Sequence, residues 1–100
     1  MCRFIVVTEG LAKTEADAIS AVLTGSGYQF WHWIEGFWLV LLPSSTMTGK
    51  EFHTEITSKI PGLEPKTMLV MRIDEPISYW GRANKAAWTW METYKIGQAQ

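Results

Sequence analysis

Side chains able to do acid–base, nucleophilic or metal chemistry are sparse in this chain. His32 and His53 are its two histidines. An imidazole titrates near neutrality, so His32 is suited to a general acid–base step. No third ligand stands at a zinc-like spacing from the pair and there is no HExxH pattern, which makes a structural histidine among aromatic neighbours the simpler account of His32. Cys2 is the only cysteine. It excludes an intrachain disulfide, fits a reducing compartment and has no nucleophile signature around it. Ser44 and Ser45 follow Pro43 without a GxSxG elbow. Gly25-Ser26-Gly27 is shorter than a phosphate-binding loop and follows a helical segment instead of preceding one. That leaves Glu9, at the exit of an apolar run, as the sharpest catalytic or metal-binding candidate, beside the plainer account of a solvated charge opening a loop. One carboxylate per chain ligates magnesium only when symmetry adds its twin or a substrate phosphate completes the shell.

The elements that must position these groups can be read from periodicity. Phe4 to Thr8 is a partly β-branched apolar run closed by Gly10, the pattern of a strand buried on both faces. Thr14 to Thr24 predicts a helix, with Thr14 as its cap and Ala18, Ile19, Val22 and Leu23 as its apolar face. Tyr28 to Trp33 alternates, placing Tyr28, Phe30 and His32 on one face and Gln29, Trp31 and Trp33 on the other. Glu35-Gly36 makes a hairpin turn into Phe37 to Leu42. Thr48-Gly49-Lys50-Glu51 has the spacing of a capping box, and its helix carries Phe52, Ile56 and Ile60 before ending at Pro61-Gly62. Met68 to Ile73 is a further strand, halted at Pro76.

The order strand, helix, strand, strand, helix, strand predicts an α+β, ferredoxin-like βαββαβ sandwich. Its first and third strands, the uninterrupted apolar runs, belong in the centre. The second, which alternates with polar residues, belongs at an edge. Two additions follow: a short strand-like piece, Ile77 to Trp80, and a C-terminal amphipathic helix with Ala83, Ala86, Ala87, Trp90, Met91 and Tyr94 on one stripe.

The 100 residues, 47% hydrophobic and 19% charged with a formal net charge of −1, form one domain with one modest core. The core spans 1–76 and the C-terminal extension 77–100. Near-neutral charge gives no global pull toward nucleic acid or anionic membrane. The apolar stretch from Tyr28 to Leu42 is too short and too polar to span a bilayer, and Arg3 is followed by too few apolar residues for a secretory signal. A cytoplasmic protein with no membrane partner is expected.

Six tryptophans stand out. Both faces of the strand Tyr28 to Trp33 are aromatic, and one small core covers only one of them, so the other meets solvent, the C-terminal helix, a second protomer or stacked bases, with a partner sheet the preferred cover. Large rings dominate interfaces, so Trp31, Trp33, Ile77, Tyr79, Trp80 and Trp88 are the expected contacts to a dimer mate or other partner.

The chain resembles the small ferredoxin-like CRISPR adaptation proteins and their VapD-type toxin and SinR-like relatives. Phe4-Ile5-Val6-Val7-Thr8-Glu9, Gly36-Phe37-Trp38-Leu39-Val40, Met68-Leu69-Val70-Met71-Arg72-Ile73 and the tail Trp80 to Trp90 carry the resemblance. It implies a homodimer in which sheets pack together and the segment after the fourth strand, here Ile77 to Trp80, reaches toward the partner. In nuclease members of that family an aspartate at the end of the first strand, one per protomer, holds a divalent metal. Glu9 stands at that position here, one methylene longer.

The leading expectation is a dimeric, non-catalytic protein that acts through association and needs no cofactor. A magnesium-dependent endonuclease or endoribonuclease using Glu9 is second, and magnesium enters only with that reading. A binder of single-stranded nucleic acid is third.

Overall fold

A computed structural model of the protein describes residues 2–43, 46–63, 67–74, 77–94 and 96–99. Ser44, Ser45 and Pro76 lie outside the described residues. Strands β1 (Cys2–Glu9), β2 (Gln29–Ile34), β3 (Phe37–Leu42) and β4 (Thr67–Ile73) form a four-stranded sheet in the order β2-β3-β1-β4. Every pairing in it is antiparallel. The two most apolar strands, β1 and β3, are thus central, as their composition requires of strands with neighbours on both sides.

Helices α1 (Lys13–Gly25) and α2 (Gly49–Ser58) cover one face of this sheet. Strand alternation sends Cys2, Phe4, Val6, Trp38, Val40 and Leu42 to that side, where they meet Ile19 and Leu23 of α1 and Phe52 and Ile56 of α2. Phe4 and Phe52 stack with centroids 4.4 Å apart. The α2 capping box forms as its spacing predicts: Thr48 Oγ1 accepts from the Glu51 amide at 3.2 Å, and the Glu51 carboxylate accepts from the Thr48 amide at 2.9 Å. The start of α1 differs from its expected cap. Thr14 lies inside the first turn, Ala12 takes the cap position, and the Glu15 carboxylate accepts from the Ala12 amide at 3.0 Å. The backbone closes that end with an alanine that has no side-chain oxygen, and Glu15 supplies the acceptor in its place.

The opposite, outer face carries a second cluster. Helix α3 (Lys85–Thr93), with strands β5 (Ile77–Tyr79) and β6 (Gly97–Ala99) that pair in parallel, packs there. Asn84 caps α3, its side chain accepting from the Ala87 amide at 3.0 Å. Ala87, Trp90, Met91 and Tyr94 of the expected stripe face the sheet with buried Ile96. Ala83 precedes the helix and Ala86 is exposed, so the stripe is shorter than its period implies. Leu39 and Leu41 of β3 are buried beneath this layer. The extension therefore completes a core of its own on the sheet.

Candidate functional site

The end of β1, the start of α1 and the β2–β3 turn enclose an open polar cleft of about 700 Å³, lined by Thr8, Glu9, Lys13, Asp17, His32 and Glu35 among others. Gly36 makes this geometry. It adopts φ of 72° in the turn, its carbonyl accepts from the Thr8 amide at 2.7 Å, and a Cβ there would lie 2.6 Å from the Thr8 carbonyl oxygen. Only glycine allows the two backbones to approach so closely at that dihedral.

His32 is the most firmly positioned polar group in the cleft. Its ring stacks on the Trp38 indole at 4.2 Å with planes 3° apart. The Trp38 Nε1 in turn donates to Ser20 Oγ at 3.1 Å. His32 Nδ1 lies 2.7 Å from the Phe37 carbonyl oxygen. A carbonyl only accepts, so Nδ1 carries the proton in the neutral ring and Nε2 keeps its lone pair. The aromatic-flanked, structural account of this histidine is the one its contacts fill out.

Glu9 is exposed at the tip of β1, paired in the ladder with Thr67, whose hydroxyl lies 3.5 Å from its carboxylate. Lys13 and Asp17 form an exposed ion pair at 3.1 Å. Among the described residues no group of three or more His, Cys, Asp or Glu side chains is placed to hold a metal. His53 is on α2 and does not line this cleft. The Thr8 hydroxyl is buried at the base with no hydrogen-bond partner. Cys2 is buried in the core, and that burial pushes its thiol up from the ordinary value of 9.0, away from the reactive thiolate.

The aromatic residues expected at a partner interface divide into two groups. Trp31 is not available to a partner: it is 6% exposed, and its Nε1 donates to the Ala87 carbonyl at 3.1 Å. The chain's own α3 supplies the cover, and the indole N–H finds its acceptor within the fold. Ile77 and Tyr79 also pack against this cluster. Trp33 remains exposed beside Trp31, with ring centroids 5.5 Å apart. Trp80 is 76% exposed, and Trp88 is half-buried, stacked on Tyr79 and in contact with Trp80.

A different apolar strip was not among the expected contacts. On β4, Met68 and Val70 turn to the helices, while Leu69 and Met71 turn outward and are 51% and 39% exposed. They pair across the ladder with Val7 and Ile5 of β1. The signal was present in the sequence: Met68 to Ile73 is apolar on both faces, and the strand lies at a sheet edge where one set of helices covers only one of them.

Comparison with protein-family models, curated proteins and solved structures finds no match to this chain. The likeness to the CRISPR adaptation, VapD and SinR-like proteins therefore rests on the sequence pattern alone. Among the described residues no helix is long and apolar enough to cross a membrane.

Proposed function

We propose that the protein is a ferredoxin-like association module that pairs with a second copy of itself through the outer face of β1 and β4, without catalysis of its own. One observation carries the reading. Helix α3 covers the β2–β3 half of the outer face, and the other half presents Leu69 and Met71 to solvent beside half-buried Ile5 and Val7. Contiguous apolar surface of this kind marks an interaction site, and a two-fold axis through the strip matches each apolar row with its own copy. A net charge of −1 per chain opposes such pairing only weakly. The strand order and the two helices on one face fit the split βαβ pattern of ferredoxin-like folds. A buried, lone Cys2 fits a reducing cytoplasm.

Charge placed on the strip tests this. Leu69→Asp and Met71→Asp are expected to shift self-association, read by sedimentation velocity, toward the monomer by at least about tenfold in concentration. An unchanged association constant in both variants contradicts the chosen face.

A second reading, the magnesium-dependent nuclease, draws on Glu9 and His32 lining one cleft. With no three-ligand group among the described residues of one chain, it needs carboxylates from two chains or substrate phosphates. Cleavage of nucleic acid that requires magnesium and disappears in Glu9→Gln would establish it in place of the non-catalytic reading.

A further inference from the structure

The sulfur atoms of this chain are sorted by exposure. Cys2 is 2% exposed in the core, and burial raises its thiol pKa, away from the reactive thiolate. Met68 and Met47 pack against the helix-side core, and Met91 packs in the outer-face cluster. Met71 alone among the described methionines is exposed, at 39%. It also stands in the middle of the β1–β4 strip. Ile5 faces it across the ladder, and Leu69 and Ile73 flank it on the same face of β4.

Those three neighbours have wholly apolar side chains and offer no hydrogen-bond donor. Arg3, the next residue along β1 on that face, is 8% exposed, and its Nη2 donates to the Asp74 carbonyl at 3.0 Å. A thioether suits such surroundings whether the strip is open or covered. A sulfoxide does not, because its S=O is a strong acceptor. Water satisfies that acceptor in the free chain, but a closed apolar strip would leave it unpaired.

Resting on the pairing of two copies through this strip, we propose that Met71 is a site of reversible oxidation whose sulfoxide releases the pair. The oxidant is a peroxide. The Met71 Sδ lone pair attacks one peroxide oxygen, the S–O bond forms and the O–O bond breaks. The leaving oxygen takes the proton of the transferred one and departs as water. Sulfur loses two electrons and the peroxide gains them. Two thiols acting through a sulfoxide reductase return the thioether, giving a disulfide and water. Peroxide reaches Sδ in the free chain and pairing shields it, so oxidation and association oppose each other by mass action.

The test treats reduced protein with hydrogen peroxide, assigns the oxidised positions by peptide mass spectrometry and follows self-association by sedimentation velocity. Met71 is expected to take up oxygen before Met47, Met68 and Met91, and association to weaken by at least about tenfold. The rate at Met71 should fall as protein concentration rises, and should be independent of concentration in Leu69→Asp. Met71→Leu is expected to pair as the wild type does and to stay paired after peroxide. Oxidation of Met71 in Leu69→Asp should leave thermal melting unchanged, as an effect confined to the strip requires. The proposal is overturned if the pair persists with Met71 fully oxidised, or if another of these methionines reacts first. It is also overturned if Met71→Leu dissociates under peroxide as the wild type does, or if oxidation lowers the melting temperature of Leu69→Asp. Reduced protein that is monomeric at every concentration overturns the pairing itself, and the switch with it.

Discussion

Tyr28 shows how one side chain sets a pH limit on the fold. Its hydroxyl donates to Glu55 Oε1 at 2.8 Å, joining the start of the β2 hairpin to α2. Burial first, and then the bond to Glu55 and its negative charge, push the phenol from its ordinary 10.0 up to about 12. A raised pKa of this kind stabilises the fold fully below the unfolded value and is lost as pH rises through the folded one. Chemical denaturation followed between pH 9 and pH 12 should therefore show a loss of stability above about pH 10 that is smaller in Tyr28→Phe. At pH 7 that variant should cost about 1 kcal/mol for the missing hydrogen bond. Gly36 is the other residue whose chemistry is dictated by its surroundings. Gly36→Ala combines a left-handed dihedral with a Cβ 2.6 Å from a backbone oxygen, so a loss of about 1–3 kcal/mol or more is expected by thermal melting. The peptide groups of Thr8 and Gly36 would have to separate, and His32 would lose its setting in the cleft.

At the scale of elements, helices that announce themselves with a side-chain cap were easiest to place. Thr48 and Glu51 form their reciprocal bonds as spaced, and the Thr48 amide, followed by its hydroxyl, holds the Glu51 carboxyl below its ordinary 4.5. A depressed carboxyl stabilises above its unfolded pKa and stops doing so as pH falls through the folded one. Thr48→Ala should accordingly cost about 1 kcal/mol at neutral pH, with a flatter loss of stability on acidification below about pH 4.5 in a denaturant series. The start of α1 could not be read in the same way, because Ala12 carries no capping oxygen and the working acceptor, Glu15, lies beyond the apparent cap at Thr14. Strand alternation gave the faces of Phe30, Trp31 and His32 correctly, since period two holds up to the register shift between Trp31 and Ile34. Strand β6 was illegible for a physical reason. Its three residues, Gly97 to Ala99, have no apolar alternation and are held by parallel pairing with β5, a contact set by tertiary structure. Trp31 is covered by α3 of its own chain, its indole N–H bonded to the Ala87 carbonyl, where a partner sheet is the cover its aromatic face suggests. An aromatic outer face needs a cover, but only the position of α3 decides whether the cover comes from the same chain.

For the whole molecule, that second layer changes what counts as the core. Leu39, Leu41 and Trp31 are buried against residues of the 77–100 extension, so a fragment comprising 1–76 would expose them together. It is expected to bind a hydrophobic dye and to aggregate on heating, whereas the full chain melts in one cooperative transition. The same comparison of covered and uncovered apolar surface is what motivates the proposed pairing of two chains, because α3 stops short of β4. Among the described residues, exposed apolar surface lies at opposite edges of the sheet, at Leu69 and Met71 of β4 and at Trp33, Ile34 and Trp80 near β2. The most direct check is the mass in solution, from size-exclusion chromatography with light scattering over a concentration series. The account predicts a species of twice 11.4 kDa that dissociates on dilution and is weakened by Leu69→Asp. A mass of 11.4 kDa at every concentration would contradict it, and would leave the β1–β4 strip to a partner of another kind.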